Sequence, residues 1–154
     1  SADGLKVGGH QASSASLAAA RISAGAAGAR VETMAVDWRD PPRALLERAP
    51  ADLVIGADLL YEERNGGALA ALLPRLLPPG GEALITDPRR PHAAALIEPL
   101  RAAGWTHERE EVAHRGRPDE SGTIIHLHRL VAPGGERISG LAAAGLDLPS
   151  SDPR

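Results

Sequence analysis

Asp58 and Tyr61, three residues apart in ADLVIGADLLYEE, and Asp37 beside Trp38 in VETMAVDWRDP, are residues whose types and spacing could do chemistry. A carboxylate at the end of an apolar run can orient a polar ligand, and the only tyrosine adds a hydroxyl on an aromatic ring. Tryptophan next to an acid can wall a flat aromatic group such as adenine while the acid or the backbone makes polar contacts. Each pair also has a plainer reading. Asp37 can form a turn with Trp38 covering the end of the core, and Asp58 can cap a helix with Tyr61 at its rim. His126-Leu-His128 puts two imidazoles on one face of a strand, a spacing that can serve a metal. No third ligand is evident in the sequence, and no metal site is expected.

The elements that must position these residues follow from pattern. Leu53 to Ile55 are apolar, β-branched in part and too few for a helix, as in a strand buried on both faces of a parallel sheet. Val31 to Val36 and Ala83 to Thr86 are the other parallel strands, ended by Asp37 and by Asp87-Pro88. A weak helix is expected from Ala15 to Ile22, a short one from Arg43 to Arg48, and longer ones from Ala68 to Leu77 and His92 to Ala103. Pro74 and Pro99 should kink or divide the last two, and Gly104 stops the second. Trp105 to Val112 and Thr123 to Val131 make an antiparallel hairpin or edge addition around HRGRPDESG, with Glu108, Glu110 and Glu111 as a solvated strand face. Gly8-Gly9, Gly66-Gly67 and Gly134-Gly135 are read as flexible turns.

Strands alternating with helices predict a parallel sheet, and in such sheets ligands bind outside the carboxyl ends of the strands. Asp37, Asp58 and Asp87 would then lie along one edge. The templates for a Gly-x-Ser-x-Gly nucleophile turn, a Gly-Lys-Ser/Thr phosphate loop and a His-Glu-x-x-His pair are all missing.

Composition narrows the classes further. The 154 residues suit one domain, and 43% apolar content suffices for a core, built without phenylalanine from Leu, Val, Ile and Ala. Lys6 is the only lysine among 17 basic residues and the net charge is −3, so no basic stripe invites nucleic acid. The absence of cysteine excludes disulfides, thiolate metal sites and thiol catalysis, which fits a cytoplasmic protein. No apolar run approaches membrane-spanning length.

The segments ARVETMAVDWRDP, ADLVIGADLLYEERN, LLPRLLPPGGEALITDP and GTIIHLHRL together resemble the later half of a class I S-adenosylmethionine-dependent methyltransferase. The subgroup is the one of nicotinamide-type and small protein-lysine methyltransferases, and the likeness runs from about Ala29 to Val131. It implies S-adenosylmethionine as cofactor, with Asp37 and Trp38 flanking the adenine and Ala57 lining the cofactor through its backbone. It places Asp58 and Tyr61, as the catalytic pair, beside methyl donor and acceptor, and implies N-methylation of a protein lysine or a small amine. Pro79-Gly80-Gly81 matches the turn before the fifth strand. The chain departs at its start. The family's first strand and Glu/Asp-x-Gly-x-Gly loop, and the acid after its second strand, are not found, and Ser1-Ala-Asp-Gly-Leu reads as the start of the helix after that second strand.

The fold expected is therefore α/β, a Rossmann-like class I methyltransferase sheet with a C-terminal antiparallel hairpin, N-terminally incomplete. A partial methyltransferase domain would span 1–132, followed by a flexible tail over 133–154. The missing strands belong between the family's third and fourth, which leaves the strand at Val31 without a neighbour. The 154-residue chain alone should bind S-adenosylmethionine weakly or not at all, and a non-catalytic binding module is the alternative. A nicotinamide-dinucleotide dehydrogenase would need Gly-x-Gly-x-x-Gly at its first strand and gains nothing from Asp-x-x-Tyr.

Overall fold

The computed structural model describes residues 3–8, 14–28, 30–114 and 123–134. Strand β1 (Asp3–Gly8) leads through helix α1 (Ser14–Ala26) to β2 (Arg30–Ala35), and the short α2 (Arg43–Leu46) precedes β3 (Leu53–Ala57). Helix α3 (Glu63–Leu76), β4 (Glu82–Asp87), α4 (Ala93–Ala102), β5 (Thr106–His114) and β6 (Thr123–Val131) complete the order. The loop HRGRPDESG lies almost wholly, and the tail from 135 onward entirely, outside the described residues. No helix among the described residues is long and apolar enough to cross a membrane.

The strand at Val31 is not alone, contrary to expectation. Asp3–Gly8 is a strand rather than the start of a helix, and it pairs with β2 in parallel register, Gly4 opposite Val31 and Val7 opposite Met34. Parallel neighbours require a crossover, and α1 provides it. The order strand, helix, strand puts β1 where the resemblance has its second strand, with Gly8 rather than an acid at the carboxyl end.

The second sheet has the order β3-β4-β6-β5. β3 and β4 are parallel, and β6 runs antiparallel to both β4 and β5. The hairpin therefore folds back with its second strand against β4. β6 gains neighbours on both sides and buries His128 and Leu130, while β5 becomes the edge and exposes Glu108, Glu110 and Glu111. Among the described residues no hydrogen bond joins β1 or β2 to β3, and the sheet is divided there. β3 is consequently an edge strand rather than one buried on both faces, and Ile55 is 71% exposed.

One core serves both sheets. Ala83 and Ile85 of β4 and Leu130 of β6 face α3 and α4, whose Leu69, Leu72, Leu73, Leu96 and Leu100 are buried with Leu60. On α3 these leucines recur at the three- and four-residue spacing of one helix face. Gly66 and Gly67 are no flexible turn but lie inside α3. A Cβ on Gly66 would sit 2.8 Å from Ala95 Cβ and 2.9 Å from the Leu96 nitrogen, so the missing side chain lets α3 and α4 approach. Pro74 and Pro99 lie within α3 and α4 and divide neither helix. At the end of α4, Gly104 adopts φ 87° while the Trp105 amide bonds the Leu100 carbonyl at 3.0 Å and the Gly104 amide bonds that of Arg101. This six-to-one closure turns the chain back and seats Trp105 in the core.

Candidate functional site

Asp37 follows β2 and closes a turn, its carbonyl accepting the Asp40 amide at 3.1 Å. Its carboxylate accepts the Arg39 amide at 3.0 Å and the Arg39 guanidinium at 3.0 and 2.8 Å. The bonds to Asp37, and then its charge, raise the pKa of Arg39. Trp38 is 8% exposed and belongs to the core, so most of its ring covers apolar side chains. What remains of its surface faces a cleft.

β3 delivers the second group of residues. Asp58 continues the pairing one residue past the strand, its amide bonding the Thr86 carbonyl at 3.0 Å. It then turns through φ 50°, a left-handed conformation that aspartate adopts more readily than most side chains. The next residues leave the sheet steeply. Leu60 drops into the core and Tyr61 returns to the surface, 37% exposed. Asp58 does not cap α3. The N-cap is Glu62, which makes no side-chain cap hydrogen bond. Asn65 instead ties the first turn of α3 to the strand exit, its Nδ2 donating to the Leu59 carbonyl at 3.1 Å.

The cleft between these two strand exits is lined by Asp37, Trp38, Arg39, Tyr61, Arg64, Asn65 and Ala68. Thus Asp37, Trp38 and Tyr61, expected at the site, come together, and they do so outside the carboxyl ends of β2 and β3. Ala57 and Asp58 are exposed beyond its lining. Asp58 is held by Arg90, whose Nε and Nη2 donate to its two oxygens at 2.9 and 3.3 Å. The Arg90 amide in turn donates to Asp87 Oδ1 at 2.8 Å. One residue therefore links the acids that end β3 and β4, and the bonds to Asp58, ahead of its charge, raise the Arg90 pKa.

Sequence reasoning missed Arg90, Arg64 and Asn65. Arg64 and Asn65 stand within the quoted ADLLYEERN and could have been read as the first turn of the next helix. Arg90 offers no such signal, since its partner is 32 positions away. The two histidines of β6 lie on its buried face. Burial lowers the pKa of His128 against the opposing pull of the Asp87 carboxylate, and burial also lowers that of His107, helped by His128.

The sequence matches the family described as lysine methyltransferase over residues 12–96, more than half of the chain. No curated protein matches it significantly. Among solved structures, the protein from a study of the conversion of a disulfide bond into a thioacetal group during echinomycin biosynthesis superposes with a TM-score of 0.60 at 22% identity, covering 87% of this chain and 67% of that one. Precorrin-6Y C5,15-methyltransferase from Geobacter metallireducens gives 0.55 at 15% identity, with 84% and 66% covered. An O-methyltransferase from Bacillus cereus, in complex with SAH, gives 0.54 at 14% identity, with 84% and 73% covered. The chain thus spans about two thirds of the length of the first two, and the likeness in each case is one of fold.

Proposed function

The chain belongs to the lysine methyltransferase family, and from that premise we propose that a version of it carrying an upstream glycine-rich loop transfers a methyl group from S-adenosylmethionine to a nitrogen of a protein lysine or a small amine. The observation that carries this reading is the cleft joining Asp37 and Trp38 to Tyr61 beyond the strand ends, inside the matched segment. The residues fit the adenine end of the cofactor. Trp38 offers an apolar border, and Asp37 and Asn65 supply acceptors and donors around it. Ala57, at the exit of β3, would face the cofactor through its backbone. When bound, the cofactor supplies an electrophilic methyl group on a sulfonium.

The remaining work falls to this chain's own side chains, which position the acceptor and keep water out. Asp58 is solvent-exposed and already pairs with a cation, Arg90. An incoming ammonium can take the place of the guanidinium on the same carboxylate, which orients the acceptor nitrogen until a proton is lost to solvent and the nitrogen carries the lone pair that methyl transfer requires. Tyr61 brings a ring face that favours cations and a hydroxyl that can hydrogen-bond. A cytosolic setting suits the cysteine-free sequence, and the partner is the methyl acceptor rather than nucleic acid or a membrane.

A second reading, a methyltransferase-like binding module without turnover, draws support from the division of the sheet beside β3 and from the glycine where a ribose-binding acid would end β1. Transfer of labelled methyl groups from S-adenosylmethionine to lysine peptides and small amines separates the two. The enzyme reading expects transfer, with Trp38→Ala raising the cofactor KM and Asp58→Ala lowering kcat, each about 10- to 100-fold, as for losing one or two good polar or packing contacts. Cofactor binding without transfer to any amine would favour the module.

A further inference from the structure

Asp87 stands opposite His126 in the β4–β6 register and Ile85 stands opposite His128, so all four side chains share one face of the sheet. That face turns Ile85 and Leu130 into the core, and Asp87 is only 1% and His128 2% exposed. A carboxylate oxygen of Asp87 and one ring nitrogen from each of His126 and His128 all lie within 4.8 Å of one another. His128 Nε2 is 3.7 Å from Asp87 Oδ2. Asp87 Oδ2, His126 Nε2 and His128 Nε2 are each buried without a hydrogen-bond partner. Asp87 and His128 are each held in place through their other polar atom. Asp87 Oδ1 accepts the Arg90 amide, and His128 Nδ1 pairs with His107 Nε2 at 3.0 Å. Buried polar atoms normally have partners; His128 Nε2 and Asp87 Oδ2 face each other at 3.7 Å and His126 Nε2 meets the Glu111 carboxylate at 3.3 Å, none of them in hydrogen-bond geometry, and a shared ion would satisfy all three.

We propose that Asp87, His126 and His128 bind a divalent transition-metal ion, zinc by preference. Two imidazoles and one carboxylate are a zinc donor set, whereas magnesium and calcium take oxygen ligands. A tetrahedral ion with bonds of about 2.0 Å holds its ligand atoms about 3.3 Å apart, so the 3.7 Å between His128 Nε2 and Asp87 Oδ2 closes by a few tenths of an ångström, and the widest separation in the trio, within 4.8 Å, closes by up to about 1.5 Å through side-chain rotation. His107 is the positioning residue. In the tautomer in which His107 Nε2 accepts the Nδ1 proton of His128, the Nε2 lone pair of His128 is left free for the ion. Glu111 Oε1, 3.3 Å from His126 Nε2, stands beside the open fourth position. The ion would clip β4 to β6 at the residue that also anchors Arg90, the partner of Asp58.

The test uses the untagged chain, stripped of metal with a chelator and titrated with Zn2+ by calorimetry and with Co2+ by visible absorption. One ion per chain is expected, with micromolar affinity or tighter and the intense cobalt bands of a four-coordinate site. His126→Gln and Asp87→Asn, near-isosteric changes checked by circular dichroism, should each weaken binding on the order of 100-fold, and His107→Gln about 10- to 100-fold. His92→Gln, at the start of α4, should leave it unchanged. Absence of Zn2+ binding at hundreds of micromolar, or binding that survives both ligand substitutions, overturns the proposal.

Discussion

A methyl group added at Gly66 and one added at the next residue should move stability in opposite directions, although both glycines lie in α3. Alanine is the better helix former by about 0.8–1.0 kcal/mol at either position. At Gly67, exposed and with nothing within 4 Å of the new Cβ, that gain stands, so Gly67→Ala should stabilise by about 0.5–1 kcal/mol. At Gly66 the Cβ meets Ala95 Cβ at 2.8 Å and the Ala95 carbonyl carbon and Leu96 nitrogen at 2.9 Å. Two of these are backbone atoms that cannot rotate aside, so α3 and α4 must separate. Overpacking of this kind costs about 1–3 kcal/mol, which outweighs the helix gain and leaves a net loss on the order of 1–2 kcal/mol. Urea unfolding followed by far-ultraviolet circular dichroism should place the two midpoints on opposite sides of the wild type with similar slopes. A Gly66→Ala protein as stable as Gly67→Ala would refute the close approach of the two helices.

Three further outcomes are expected. Leu130→Ala, at a position without solvent exposure, should cost about 2–5 kcal/mol in the same unfolding assay, while Ile55→Ser on the open edge strand should stay within about 0.5 kcal/mol. Asp58→Val forces a β-branched residue into a left-handed backbone and should cost about 1–3 kcal/mol, whereas Asp58→Gly should not destabilise; equal losses for both would show that φ is not the cause. Arg90→Ala should lower the KM for an amine acceptor in the upstream-extended version, because the acceptor no longer displaces a guanidinium from Asp58, and an unchanged KM would remove that carboxylate from acceptor binding.

The parts of the fold that local pattern governs were legible. Apolar runs ending in acids located β2, β3 and β4, and Gly104 marked the end of α4 through the left-handed turn it permits. What depends on distant partners was not. DGLKVG has only two apolar side chains and two glycines in six residues, and its strand character rests on pairing with β2, more than twenty residues on. Gly66 and Gly67 carry the composition of a turn, and only the approach of α4 explains a glycine inside α3. Ile55 belongs to a run that reads as fully buried, yet its exposure is set by which strand pairs beside β3. At the candidate site, the strand ends brought Asp37 with Trp38 and Tyr61 to one cleft but left Asp58 outside its lining. The grip of Arg90 on Asp58 and the meeting of Asp87 with His126 and His128 follow from loop path and strand register, which spacing alone does not encode.

The proposed function places the nucleoside end of the cofactor in the cleft of Asp37, Trp38 and Tyr61. Calorimetric titration of S-adenosylhomocysteine into the 154-residue chain, a version extended upstream with a glycine-rich loop, and the Trp38→Ala variant of that version tests it. Saturable one-to-one binding by the extended version is expected, with a loss of about 10-fold or more on Trp38→Ala and weak or undetectable binding by the 154-residue chain, which ends β1 in glycine. Binding by the extended version that is indifferent to Trp38→Ala, or tight binding by the 154-residue chain, would overturn this placement of the cofactor.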